Sequence, residues 1–238
     1  MFSPRAFLLT GTDTGVGKTT VGSALAAALV NRGFKVGVVK PFETGCAPGP
    51  EGALIPSDAE QLRYFAACDE PLDSICPIRC REPLAPAVAL RRAGRSVDLA
   101  MLHAAILGIV ARHEITLVEG AGGLLVPIAP SATFADLARA CTLPVIVVVG
   151  NRLGALNHAQ LTVRFAEQAN LTVAGYIINT LSPEADLATE TNVEGLTELL
   201  GPPLGVLPWL GAVTCTPEDR ARLAQAAETS MALDVLAG

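Results

Sequence analysis

Short apolar runs alternate with stretches of helical periodicity along nearly the whole chain. Ala6–Thr10, Lys35–Lys40, Ile115–Glu119, Pro144–Val149, Val173–Asn179 and Leu204–Leu207 are four to seven residues long and rich in Val, Ile and Leu. That is the pattern of strands. Pro144–Val149 is apolar throughout, as expected of a strand covered on both faces. Between the runs, Thr19–Arg32, Asp58–Ala67, Val97–His113, His158–Gln168, Glu190–Leu200 and Pro217–Thr229 read as helices. Gly33 suits a helix stop, Ser57 an N-cap, and Asp98 the first turn of its helix. Another helix starts at Thr133, with Asp136 reaching back to the cap. Residues 41–57 read as a loop, and 69–86 as Pro-rich and irregular. Strands alternating with helices predict an α/β fold in three layers, a mostly parallel sheet flanked by helices. No repeat or linker divides the chain, so residues 1–238 read as one domain.

Composition narrows the class. Half the residues are hydrophobic but only 4% are aromatic, so Ala, Val, Leu and Ile must build the core. A net charge of −6 argues against a nucleic-acid partner. The mean hydropathy of +0.44 raises the question of a membrane span. The longest uncharged run, Leu199–Pro217, is interrupted by four prolines and reads as none. The apolar run near the N-terminus is too short for a signal peptide, so a cytoplasmic protein with reduced cysteines is expected. Cys76 and Cys80 lack a second pair at zinc-finger spacing. Only three of the 17 basic residues are lysines, Lys18, Lys35 and Lys40. A chain so biased toward arginine keeps lysine where a compact ammonium is needed.

Lys18 stands in the most informative segment, Gly11-Thr12-Asp13-Thr14-Gly15-Val16-Gly17-Lys18-Thr19-Thr20. A strand precedes this Gly-rich loop and a helix follows it, the context a phosphate-binding loop requires. Its backbone N–H groups can wrap phosphate oxygens, with the helix N-terminus behind them. Lys18 can reach the terminal phosphates and Thr19 can hold Mg²⁺. The loop is a variant: the position five before Gly17 is Thr12 where the common pattern has glycine.

Ile115–Glu119 delivers a carboxylate to a strand end and is followed by Gly120-Ala121-Gly122-Gly123. A carboxylate so placed can bind Mg²⁺, and the glycines let backbone approach a phosphate closely. Asp58 suits either a second acid beside the metal or a plain helix start. Lys40, ending a buried strand, calls for an anionic partner. Asn179 ends another strand, and open sheets bind ligands at such carboxyl ends.

Taken together, the loop GTDTGVGKT, Lys40-Pro41-Phe42-Glu43-Thr44-Gly45, Ser57-Asp58, Val118–Gly123, Gly154–His158 and Pro208-Trp209-Leu210 resemble, in order and over nearly the full chain, the dethiobiotin synthetases. The resemblance implies a P-loop NTPase-like fold. It also implies an ATP- and Mg²⁺-dependent ligase of biotin biosynthesis that joins 7,8-diaminononanoate and CO₂ into a cyclic urea. One amine takes up CO₂ as a carbamate, the carbamate attacks the γ-phosphate, and the second amine closes the ring and expels phosphate. Lys18 and Lys40 are then the catalytic cations. ATP would be held by Gly15, Val16, Gly17, Lys18, Thr19 and Thr20, by Asp58 and Glu119–Gly122 (Gly120, Ala121 and Gly122 after the acid), by Asn179 and Thr180, and by Pro208, Trp209 and Leu210. Thr19, Asp58 and Glu119 would hold Mg²⁺. Thr44 would bind the diamine end of the substrate. In a homodimer, Leu153, Gly154 and Asn157 would receive its carboxylate from the neighbouring subunit. Asn179 also suits a plain strand end, and Trp209 suits packing.

Two segments depart from the family pattern. The chain reads Ala85-Pro86-Ala87 where many members end in histidine, and the loop after Trp209 lacks an expected acid. Two rival classes share such a domain. A MinD/ParA-like ATPase switch would carry a lysine where Asp13 stands, and a cobyrinate-type amide ligase would need a glutaminase domain.

Overall fold

The computed structural model describes residues 5–237. Six strands form the central sheet: β1 Arg5–Gly11, β2 Val36–Val39, β3 Ile115–Glu119, β4 Val145–Asn151, β5 Val173–Thr180 and β6 Gly205–Leu207. Their order is β6-β5-β4-β1-β3-β2, and every pair is parallel. The carboxyl ends of all six therefore lie along one edge, the place where ligands bind in such sheets.

Alternation along the strands splits the apolar residues into two cores. Leu9, Val38, Leu117 and Val148 face helices α1 (Lys18–Asn31), α2 (Ser57–Phe65) and α9 (Pro217–Ser230). Leu8, Val39, Val118 and Val147 face α5 (Leu99–Val110), α6 (Phe134–Ala140), α7 (Ala155–Gln168) and α8 (Leu187–Leu200). The remaining helices are short: α3 Leu72–Ile75, α4 Pro86–Arg92 and α10 Asp234–Ala237. The expected three layers are present. Helix α1 is buried without a break from Val21 to Leu29, wedged between the sheet, α2 and α9. Its alanines permit that close approach.

Several sequence expectations shift. The segment 41–57, read as a loop, holds a strand Phe42–Thr44 paired in parallel with Ile78–Cys80 and a small hairpin of Ala47–Pro48 with Leu54–Ile55. The irregular segment 69–86 contains α3 and the start of α4, where Pro86 pre-sets the first turn. Ser57 is not an N-cap: it is already helical, and Pro56 occupies the cap position. Asp98 is itself the N-cap of α5, accepting the Ala100 and Met101 N–H groups at 2.9 and 3.1 Å. Helix α7 starts at Ala155, three residues before His158, and α8 starts at Leu187 behind the Asp186 cap. The Thr133–Asp136 capping box forms as read. All six cysteines are free thiols.

Candidate active site at the carboxyl ends of the central strands

The loop between β1 and α1 turns through two left-handed glycines, Gly15 at φ 75° and Gly17 at φ 82°. Its base is pinned from both sides. The Gly11 N–H donates to the Gly122 carbonyl (3.1 Å) and the Thr12 N–H to the Val148 carbonyl (3.0 Å). Asn179 reaches from the end of β5 and donates through Nδ2 to the Val16 carbonyl at 3.0 Å. That amide fills the space a Gly17 side chain would need.

Lys18 lies inside this loop, 7% exposed, with Nζ donating to the Asp13 carbonyl at 3.1 Å. Burial pulls its pKa down. Lys40 adds to the effect and the Glu119 carboxylate opposes it, leaving a net lowering. An arriving polyphosphate would favour the charged ammonium and replace the carbonyl as its partner.

Glu119, at the end of β3, is 1% exposed. Its Oε1 accepts from the Thr19 hydroxyl at 2.8 Å and from the Lys40 ammonium. Lys40 follows β2, and its Nζ also donates to Asp58 Oδ2 at 2.9 Å. Burial alone would lower the Lys40 pKa, but the two carboxylates outweigh it and raise it above the ordinary lysine value. The two carboxylates therefore favour the charged form of Lys40. Thr19, Lys40, Asp58 and Glu119 thus form one contiguous polar cluster.

Above the cluster opens a cavity of about 760 Å³. Gly15, Gly17, Lys18, Thr19, Thr20, Lys40, Thr44, Asp58, Glu119, Ala121 and Gly122 line it, so the two lysines, the acids and Thr44 share one space. Residues 83–86 also line it, next to Ala87, where the chain departs from the family pattern. Other expected site residues lie outside. Val16 and Gly120 are buried in the loop bases. Asn179 pairs in register with Leu207, so Pro208–Leu210 leave the sheet beside it, with Trp209 47% exposed. Thr180 is half-buried at the end of β5. Leu153, Gly154 and Asn157 are exposed at the start of α7. The adjacent Arg152 is tied to Asp13 of the phosphate loop at 2.6 Å.

Glu43 is the functional candidate that residue-by-residue reading passed over. It stands inside the Lys40–Gly45 motif, is 5% exposed and lines the cavity. A carboxylate directly after buried Phe42, with no basic residue next to it, is the signal that could have singled it out. Burial raises its pKa, against the lowering by backbone N–H bonds from Asp58 and Ala59.

The donor set suits a hard divalent cation. Glu119 Oε2 is buried with no protein partner, and Thr19 and Asp58 bring further oxygens to the same cluster. Among the described residues no group of three or more His, Cys, Asp and Glu could hold a metal alone.

Residues 5–216 match the AAA domain family. Among solved structures, the ParA family ATPase from Chlorobium tepidum superposes with a TM-score of 0.53 at 12% identity, covering 97% of this chain and 92% of that one. Cell division protein FtsY from Thermotoga maritima gives 0.52 at 16%, covering 94% and 69%. At such identities the likeness is one of fold. Sequence relatives are much nearer. The ATP-dependent dethiobiotin synthetase BioD of Anaeromyxobacter sp. (strain K) is 45% identical over 206 residues, 86% of this chain and 90% of that enzyme. The Thermodesulfovibrio yellowstonii enzyme of the same name is 40% identical over 213 residues, 86% and 88%. Identity at this level, over most of both chains, shows that the chain belongs to the ATP-dependent dethiobiotin synthetase family.

Proposed function

We propose that this chain carboxylates 7,8-diaminononanoate and closes the ring to dethiobiotin, converting ATP to ADP and phosphate. The observation that carries the reading is the shared cavity: Lys18, Lys40, Thr44 and Glu119 face one space large enough for a small ligand beside a triphosphate. A switch ATPase needs no such pocket for a second small molecule.

The chemistry follows from charge. A carbamate and a triphosphate repel, and the reaction requires a carbamate oxygen in line with the γ-phosphorus. Lys40, held cationic by Glu119 and Asp58, offsets the carbamate charge on one side. Lys18 and the loop N–H groups hold the phosphates on the other. Thr44 orients the amine end. The carbamate oxygen attacks the γ-phosphorus and the bond to ADP breaks, ADP leaving with the electron pair. The free amine then attacks the carbonyl carbon of the resulting carbamic–phosphoric anhydride, gives its proton to the departing phosphate, and the C–O bond breaks with phosphate taking its electron pair. Thr19, Asp58 and Glu119 would hold Mg²⁺, which would supply charge neutralisation at the phosphates.

Asn179, Thr180 and Pro208–Leu210 form the adenine side, supported by their adjacency at the ends of β5 and β6. Leu153, Gly154 and Asn157 serve a neighbouring subunit's substrate carboxylate in a homodimer. Their exposure outside this chain's own cavity supports that. A single catalytic unit in the cytoplasm completes the reading; no described helix is long and apolar enough to cross a membrane.

Phosphate release measured with and without the diamine and bicarbonate tests the proposal. Release dependent on both, with a cyclic urea product, is expected. Turnover indifferent to the diamine overturns it and favours a switch; turnover driven by glutamine favours an amide ligase.

A further inference from the structure

The placement of Asp58 against Lys40 depends on a residue outside the cation–metal cluster. The first turn of an α-helix leaves N–H groups without intrahelical partners, normally met by a Ser, Thr, Asp or Asn at the cap. Helix α2 has Pro56 there, with no side-chain cap of its own. Its open N–H groups are met from another element. Glu43 Oε1 accepts the Asp58 N–H at 3.0 Å, and Oε2 accepts the Ala59 N–H at 3.0 Å. The Ser57 hydroxyl leans on the same Oε1 at 3.4 Å. Both carboxylate oxygens are committed to one helical turn, and a charge at a helix N-terminus gains further from the dipole.

That turn carries Asp58, whose carboxylate grips the Lys40 ammonium. The strand carrying Glu43 continues into Thr44, on the cavity wall. We propose that Glu43 is a positioning residue for ring closure: it clamps the first turn of α2 so that Asp58 meets Lys40, and it joins that cation–carboxylate pair to the Thr44 substrate loop. The inference rests on the function proposed above. It adds a residue of the cavity wall that acts through Asp58. The geometry predicts a specific dependence. Removing Glu43 matters only while Asp58 is there to be positioned.

The test is a double-mutant cycle with a readout independent of turnover. Glu43→Ala and Glu43→Gln are made in the wild type and in Asp58→Asn. In the wild type, Glu43→Ala is expected to lower kcat about 10–100-fold, the scale for groups that orient a ligand. ATP affinity should fall less than kcat does, because Glu43 makes no hydrogen bond to the phosphate loop and acts only through Asp58. Glu43→Gln keeps one acceptor oxygen and should lose less. On Asp58→Asn the Glu43→Ala step should cost under about twofold, the non-additivity of a shared pathway. Amide exchange at Asp58 and Ala59 should quicken at least about tenfold in Glu43→Ala. Equal loss of kcat in both backgrounds, or a lowered Tm with unchanged kcat, overturns the proposal. So does unchanged amide exchange, whatever the enzyme turns over. If Glu43→Ala does not fold, the isosteric Glu43→Gln carries the same cycle. A wild type without diamine-dependent turnover overturns the function, while the exchange experiment still tests the clamp.

Discussion

Lys40 and Glu119, 79 residues apart in the chain, meet in a buried ion pair at the ends of neighbouring strands. The pairing of β2 with β3 brings them together, since Val39 and Val118 are register partners one residue before each. With Asp58 as second partner, Lys40 has a raised pKa. By linkage, the stability this contributes is complete below the unfolded value of 10.5 and is lost only as pH rises through the folded value.

Lys40→Ala therefore has two expected effects. It leaves the Glu119 charge buried without its cation, costing about 3–5 kcal/mol of stability. It also removes the positive charge beside the carbamate, lowering turnover by about 100-fold or more. ATP binding should be largely retained, because the phosphate loop is held by other contacts. Calorimetric binding alongside a turnover assay checks both, and surviving turnover would show the role given to Lys40 to be wrong.

Lys18 behaves in the opposite sense. Burial lowers its pKa, so the unliganded protein sheds this proton below pH 10.5. The folded form pays for the charge at lower pH and regains that stability as pH rises through the lowered value. Bound phosphates raise the pKa again. ATP binding in alkaline buffer should thus take up a fraction of a proton, read by titration calorimetry in buffers of different ionisation enthalpy. Lys18→Met should abolish the uptake; uptake that persists places the titrating group elsewhere.

The two left-handed glycines of the loop should respond differently to alanine. At Gly15 a methyl meets nothing within 4 Å, so only the backbone is strained, about 1–2 kcal/mol. At Gly17 the same strain adds to a collision with the Asn179 amide. Gly17→Ala should lose measurable ATP binding, and Gly15→Ala should keep it with a lowered Tm. Equal behaviour would mean that Asn179 does not hold the loop.

Removal of divalent ions by a chelator should stop turnover, and added Mg²⁺ should restore it. Glu119→Gln should raise the Mg²⁺ concentration needed by about 10-fold or more, while Thr44→Ala should leave that requirement unchanged. A magnesium titration of phosphate release measures both. Turnover unaffected by chelation removes the metal from the proposal.

Much of the candidate site's local structure is legible in the sequence because its signals are local. A strand, a Gly-rich turn and a helix start occur within the consecutive residues of the phosphate loop, and the positive φ of Gly15 and Gly17 is a property of glycine itself. The Glu119 strand end and the Thr133–Asp136 box were readable for the same reason. What misled was contact at a distance. Ser57 resembled a cap because Ser usually is one; Glu43, from a strand that local pattern did not reveal, makes the bonds instead. Helix α4 has no sequence signal because seven residues amid prolines carry too little periodicity.

The order of residues thus determined the alternation of strands and helices, the two-faced apolar pattern and the identity of the chemical groups, since propensity and periodicity act over a few neighbours. Only the tertiary structure decided that Lys40 lies between Asp58 and Glu119, that Asn179 supports Val16 from 163 residues away, and that Glu43 caps a helix not its own. Those contacts depend on strand order and on burial, which removes water as an alternative partner and obliges each buried charge and amide to find its complement across the fold.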